Sequence, residues 1–216
     1  MPTLFVFAAW IFSLCLHEFS HAIVAYWGGD TTVKQKGYLT FNPLRYADPM
    51  LSIVYPLIFL LAGGIGLPGG CVYVDHSRLR SRAWECAVSL AGPLSNIALA
   101  LVLSFPFQLG LVDLQTDHWF WAVYAFVIML QVSAALLNLL PIPPLDGFGA
   151  IAPWLPPATQ NMLYRQAQLG MWITFLALWF VPFVSETFWG AVHGIVAWMG
   201  VPTALGWEGY QLFKIW

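Results

Sequence analysis

Charge is what this sequence has least of. Only 8% of its 216 residues are Asp, Glu, Lys or Arg, where soluble domains carry about 25%. A water-soluble globule of this size would have too little polar surface to cover itself, and the class that remains is a multi-pass membrane protein. No basic run is present, which argues against nucleic acid as a partner. The three cysteines, Cys15, Cys71 and Cys86, form no C-x-x-C pair and are odd in number. They provide neither a disulfide framework nor a thiolate metal site and read as small apolar residues. The opening MPTLFVFAAW has no basic n-region, so no cleavable signal peptide is expected. Internal repeats and low-complexity tracts are also missing.

What the sequence has instead is long apolar runs, with 60% of its residues hydrophobic. At about 20 residues per span the chain has room for five or six crossings and for no sizeable soluble domain. Apolar stretches at 4–27, 83–107 and 119–140 are long enough to cross, and 169–184 and 188–201 complete the tail. Residues 31–50 are polar and turn-rich. Thr31, Val33, Tyr38, Leu39, Thr40 and Phe41 are strand formers, and Lys36-Gly37 suits the turn of a short hairpin. Basic residues lie in two loops, Lys34, Lys36 and Arg45 in one and Arg78, Arg80 and Arg82 in the other, while the connection 108–118 holds Asp113 and Asp117 and no Lys or Arg. The positive-inside rule puts both basic loops in the cytoplasm. The short 51–67 segment between them is then expected to enter and return, or to lie at the interface, rather than to cross. The alternative is an ordinary short span with one basic loop outside.

Two histidines and a glutamate interrupt the first run, in SLCLHEFSHAIVAYW. His17 and His21 are one helical turn apart on one face. Imidazoles so placed can share one Zn²⁺, and Glu18 is suited to serve as a general base; HEFSH is the HExxH pattern of zinc metallopeptidases. In a soluble helix the pattern arises by chance. In a lipid-embedded one each ionisable residue costs at least ~2.5 kcal/mol on insertion scales, and function is the default explanation. A third protein ligand is needed. Asp30, Asp48 and Asp75 sit in turn sequences, His76, His118 and His193 are isolated, and Glu85 and Glu186 flank helix ends. Asp113 and Asp117 lie on the opposite side. Asp146 follows the proline tract LPIPPL at the end of the third long helix and is the best carboxylate by depth, although an Asp before Gly147 is also ordinary turn chemistry.

HEFSH together with NLLPIPPLDG (138–147) resembles the two signature motifs of the site-2 protease family of intramembrane zinc metalloproteases. The second matches the family pattern N-x-x-P-x-P-x-L-D-G at every fixed position, and FNPLRYADP (41–49) and AGPLSN (91–96) are weaker echoes. The resemblance covers about residues 8–150. It implies Zn²⁺ on His17, His21 and Asp146, Glu18 as base, and a membrane-associated β-hairpin at 31–41 that pairs with an unwound substrate strand. There is no room for a PDZ or CBS domain, as in the minimal members. Asn96 and Asn138 match motif positions. Each is either an interhelical hydrogen-bonding amide or a group that binds the substrate backbone or the oxyanion.

The expectation is thus an all-α polytopic membrane protein with about five spanning helices, a short re-entrant segment and a small β-hairpin. Residues 1–150 would form the protease core and 151–216 the C-terminal transmembrane helices. The site would lie toward the cytoplasmic side of a prokaryotic cytoplasmic membrane. The partners are the lipid bilayer and a transmembrane protein substrate, whose identity stays open, as do the trigger for cleavage and the oligomeric state. Two alternatives stand beside it. One is a non-proteolytic metal-binding sensor or transporter, which would need polar groups across the whole membrane. The other is a different zinc peptidase whose third ligand is a later glutamate, Glu186.

Overall fold

The structure is a computed structural model, and it describes residues 2–46 and 72–214. Helix α1 (Pro2–Gly28) runs unbroken because Pro2 sits at its first turn, where no N–H is needed, and neither Gly nor Pro interrupts it before Gly28. It ends in a Schellman motif. Gly29 takes φ 119°, its N–H bonds Tyr26 O at 3.2 Å, and Asp30 N–H bonds Ala25 O at 3.0 Å.

The next turn corrects the hairpin expected at 31–41. Thr32–Gln35 is a single helical turn, α2, and no strand occurs among the described residues. The Lys36-Gly37 turn is real but closes this helix: Tyr38 N–H bonds Val33 O at 3.0 Å, with Gly37 at φ 77°. Strand propensity loses here to local capping and burial. Asp30 accepts from Thr32 N (2.9 Å) and Thr32 Oγ1 (2.6 Å), which starts the turn, and Val33 is buried with Tyr38 and Tyr46 in a cluster that includes Ala22 and Ala25 of α1. The re-entrant segment expected at 51–67 lies outside the described residues.

Two more long helices follow, α3 (Arg82–Gln108), capped by Ser81, and α4 (His118–Asn138). At 1.5 Å per residue these and α1 are ~30–40 Å long, enough for a hydrocarbon core of about 30 Å. Contacts at 13/96, 17/96 and 21/88 make α3 antiparallel to α1. Helix α4 runs parallel to α1, with Val123, Phe126, Val127 and Leu130 packed on Val6, Trp10 and Leu14. It is the central helix: 72% of its apolar window is buried, against 39% for α1 and 28% for α3.

The tail does not supply two more spans. After α5 (Asp146–Ile151) and α6 (Pro157–Arg165), helices α7 (Ala167–Phe180) and α8 (Pro182–Trp198) meet at 88°. Pro182 starts α8 and cannot donate to α7, and at 14 and 17 residues each piece is shorter than the ~20 a crossing needs. Among the described residues three helices can therefore cross, or four if the bent pair counts as one, rather than about five. A last helix, α9 (Thr203–Phe213), lies on α4. Gly206 and Gly209 let the two backbones close, since a Cβ at Gly209 would stand 2.5 Å from Ala122 C.

Candidate metal centre

The one-turn spacing in α1 places the His17 and His21 rings 4.7 Å apart, centroid to centroid, with their Nε2 atoms 3.0 Å from each other. Each ring is held from behind. His21 Nδ1 lies 2.6 Å from Val88 O, and His17 Nδ1 lies 2.6 Å from Asn96 Oδ1, both on α3. A carbonyl can only accept, so Nδ1–H donates in both rings, and in the neutral imidazoles both Nε2 atoms carry lone pairs into the same space.

The third member arrives from the end of α4. Ile142 N–H bonds Leu140 O and Leu145 N–H bonds Ile142 O, each at 2.8 Å, and these tight turns double the proline tract back to α5. Gly147 permits the return, because a Cβ there would stand 2.6 Å from Leu140 O and closer still to Leu139. Asp146, opening α5, then sets Oδ2 3.2 Å from His17 Nε2 and Oδ1 3.5 Å from His21 Nε2. Despite that proximity the buried Oδ2 receives no hydrogen bond.

These features test whether a cation fits. Three ligand atoms lie within 4.8 Å of one another, and with both imidazoles neutral and Asp146 ionised none of them has a proton to share. Three converging acceptors repel unless a positive ion sits between them. There is space for one: Gly92 of α3 faces the pair, and the point its Cβ would occupy is 2.5 Å from His17 Nε2 and nearer to His21 Nε2. Zn²⁺ binds imidazole nitrogen at ~2.0–2.1 Å, and two imidazoles with a carboxylate are a zinc donor set that leaves a position open. The residues fit the metal.

The remaining candidates are placed as follows. Glu18, beside His17 and buried, accepts a hydrogen bond from Val72 N at 3.1 Å. Asn96 bonds His17 from the side away from Asp146. Asn138 is buried near the end of α4 and donates to Ala134 O of its own helix at 3.1 Å. Sequence reasoning missed Ser13, Gln131 and Gly92. Gln131 was visible as an amide inside an apolar helix, Ser13 stands one turn before His17, and Gly92 lies inside AGPLSN.

Taken together, a buried His-His-carboxylate centre with an adjacent glutamate, set among helices long enough to cross a membrane, defines the class of a membrane metallopeptidase. The comparisons with known proteins agree. The chain is 44% identical over 214 residues to a protein of Mycolicibacterium smegmatis, Rip2, whose name assigns it to the zinc metalloproteases, covering 98% of this chain and 80% of the relative. The Mycobacterium tuberculosis protein of the same name is 43% identical over 211 residues, with the same coverage. YwhC of Bacillus subtilis, also named for zinc metalloprotease activity, is 34% identical over 188 residues, 83% of this chain and 81% of the relative. No protein-family model matches the chain, and no solved structure matches it. The chain belongs to the site-2 protease family of zinc metalloproteases and is a membrane protein. The resemblance carried by HEFSH and NLLPIPPLDG is thereby borne out.

Proposed function

We propose that this protein is an intramembrane zinc endopeptidase that hydrolyses peptide bonds in or near transmembrane segments of other membrane proteins, with its centre toward the cytoplasmic side. The observation that carries this reading is the convergence of His17, His21 and Asp146 beside Glu18 within a bundle of apolar helices. His17 stands ~20 Å along α1 from Leu4, at 1.5 Å per residue, a depth that supports a centre inside the bilayer, nearer the end of α1 that carries the basic loops.

Zinc, when bound by the three residues, supplies Lewis acidity that acidifies water and polarises a carbonyl. The chain's own groups do the rest. Glu18 takes a proton from water and passes it to the departing nitrogen. The Val72 N–H holds its carboxylate in place between these two transfers. Asp146 and the two imidazoles, locked from behind, keep the three ligand atoms fixed, so the geometry needs no reorganisation as charge develops. The substrate helix unwinds locally to expose its amide, and Asn138, eight residues before Asp146, is assigned to the substrate backbone.

The rival reading as a transporter needs a polar path across the membrane. Beyond the centre, hydrogen-bonding side chains reach one turn further, to Ser13, Asn96 and Gln131. After that, α3 is apolar from Ile97 to Leu103, a pattern that favours a site entered from one side.

The test is Glu18→Gln in purified protein. Stoichiometric zinc should remain while cleavage of a test transmembrane segment falls by about 10²-fold or more, the scale of general base catalysis. Full proteolysis by that variant would sink the assignment.

A further inference from the structure

His17 and His21 are held in different ways, and the difference points to a device beyond the ligand set. The partner of His21 Nδ1 is a backbone carbonyl, Val88 O, which can do nothing but accept. The partner of His17 Nδ1 is a side-chain amide, Asn96, and an amide can turn over. With Asn96 Oδ1 toward the ring, His17 carries its proton on Nδ1 and offers a lone pair at Nε2. With the NH₂ toward the ring, Nδ1 must accept, the proton moves to Nε2, and that nitrogen is no longer a ligand. The orientation of one amide therefore decides whether His17 can bind a metal.

Two further side chains fix that orientation. Asn96 Nδ2 donates to Ser13 Oγ at 2.9 Å and to Gln131 Oε1 at 2.8 Å, and the Ser13 hydroxyl itself donates to Gln131 Oε1. Both amide protons of Asn96 are thus committed to acceptors, and its Oδ1 is left for His17. The three residues come from three helices, α1, α3 and α4, and all are buried: Ser13 is 4% exposed, Asn96 3% and Gln131 1%. Burial shields these bonds from bulk solvent. Each polar group would be costly in an apolar bundle if its partners were lost.

We propose that Ser13, Asn96 and Gln131 form a tautomer lock: positioning residues that act through His17 and keep its Nε2 available as a ligand. This assigns Asn96 to the metal side of the reaction rather than to the substrate. The inference rests on the protease reading above for what the metal does, but its own test is metal binding and proton position.

The experiment measures the zinc dissociation constant of the detergent-purified full chain by chelator competition. A second readout is the tautomer of His17 by ¹⁵N NMR of histidine-labelled, metal-free protein. Wild type should show the Nδ1–H tautomer. Asn96→Leu should weaken zinc by about 10–100-fold, the usual effect of losing a histidine's outer partner, and shift His17 toward Nε2–H. Asn96→Asp keeps an acceptor for Nδ1 and has no N–H with which to reverse that bond, so this variant should restore both readouts. Gln131→Met, which leaves Asn96 whole but removes its acceptor, should fall between wild type and Asn96→Leu. It decides the matter if Asn96→Leu does not fold. Unchanged zinc affinity and tautomer in these variants, with a raised KM for a test substrate, would overturn the lock and return Asn96 to substrate binding. If wild type bound no zinc, the protease reading would fail, and the tautomer measurement would still decide the lock.

Discussion

Gly92→Ala puts one carbon against both imidazole rings. The added Cβ would lie 2.5 Å from His17 Nε2, 2.6 Å from His17 Cε1 and closer still to His21 Nε2. Carbon contacts are comfortable at about 3.5–4.0 Å, so the rings must retreat by roughly 1 Å. They have little room to do so. Each is tied by Nδ1 to α3, through Asn96 Oδ1 and Val88 O, at 2.6 Å. Bringing both rings back to grip an ion costs those two bonds, at about 0.5–1.5 kcal/mol each, together with an overpacking term of about 1–3 kcal/mol. A total of about 2–6 kcal/mol weakens zinc by about 30–20,000-fold, at 1.4 kcal/mol per decade. Global unfolding is not the expected cause, because alanine is favoured over glycine inside a helix by about 1 kcal/mol. The assay is chelator competition for zinc, read beside the thermal stability of the metal-free protein. Gly190→Ala, where a Cβ meets nothing within 4 Å, is the control and should leave zinc binding unchanged. A Gly92→Ala protein whose zinc affinity stays within about threefold of wild type would refute the claim that the two rings converge on that point.

Further expectations follow from the same geometry. Gly147→Ala drives a Cβ into Leu139 and Leu140 O, so α5 shifts and Asp146 moves; zinc stoichiometry and cleavage should fall together. Asp30 is buried and accepts from Thr32 N, Thr32 Oγ1 and Asp75 N (2.8 Å), which ties the end of α1 to the segment whose Val72 N–H touches Glu18. Asp30→Ala should cost about 2–4 kcal/mol of stability, from hydrogen bonds to a charged group. Cleavage should drop more than zinc content does. Removing zinc with a chelator should lower the unfolding temperature, and restoring it to a thousandfold excess over Kd should return about 4 kcal/mol. His118→Ala breaks an exposed pair with Glu208 (2.7 Å) on the far side of the bundle; thermal melts should register under about 1 kcal/mol and proteolysis no change.

The convergence of His17, His21 and Asp146 was legible because its signals are local. One helical turn fixes the relation of His17 to His21, and a proline tract at a helix end fixes the depth of Asp146. The three long helices were legible for a similar reason, since apolar length and flanking turn residues set them within one or two residues of the structure. The hairpin at 31–41 was not, because its strand formers also suit one capped helical turn, and the choice was made by Asp30 and by the burial of Val33 against α1. In the tail, composition alone left five apolar blocks looking like five spans; Pro182 and short lengths turned the last two into a bent pair. Ser13, Gln131 and Gly92 were the least visible. Their roles depend on which residues of α3 and α4 face α1, and single-helix periodicity does not contain that pairing.

The cost of polar groups in lipid explains why the centre is divided among helices. Helix α1 alone would carry two imidazoles and a carboxylate into hydrocarbon, at ~2.5 kcal/mol or more for a charge at midspan. Packing changes that balance only when three things arrive together. Helix α3 brings the two acceptors that face the ring Nδ1 atoms, and the Gly92 backbone that leaves a gap. Helix α4 delivers Gln131, which orders the Asn96 amide, and at its end the turn that presents Asp146. A dication bound there would meet two carboxylates, Asp146 and Glu18 beside it, and the formal charge of the cluster would sum to zero. Any one contribution without the others leaves a buried charge or an unshared lone pair. The same bonds that make the bundle tolerable in a membrane are therefore the ones that aim the ligands, and a variant that loosens the α1–α3 contact should lose metal before it loses helix.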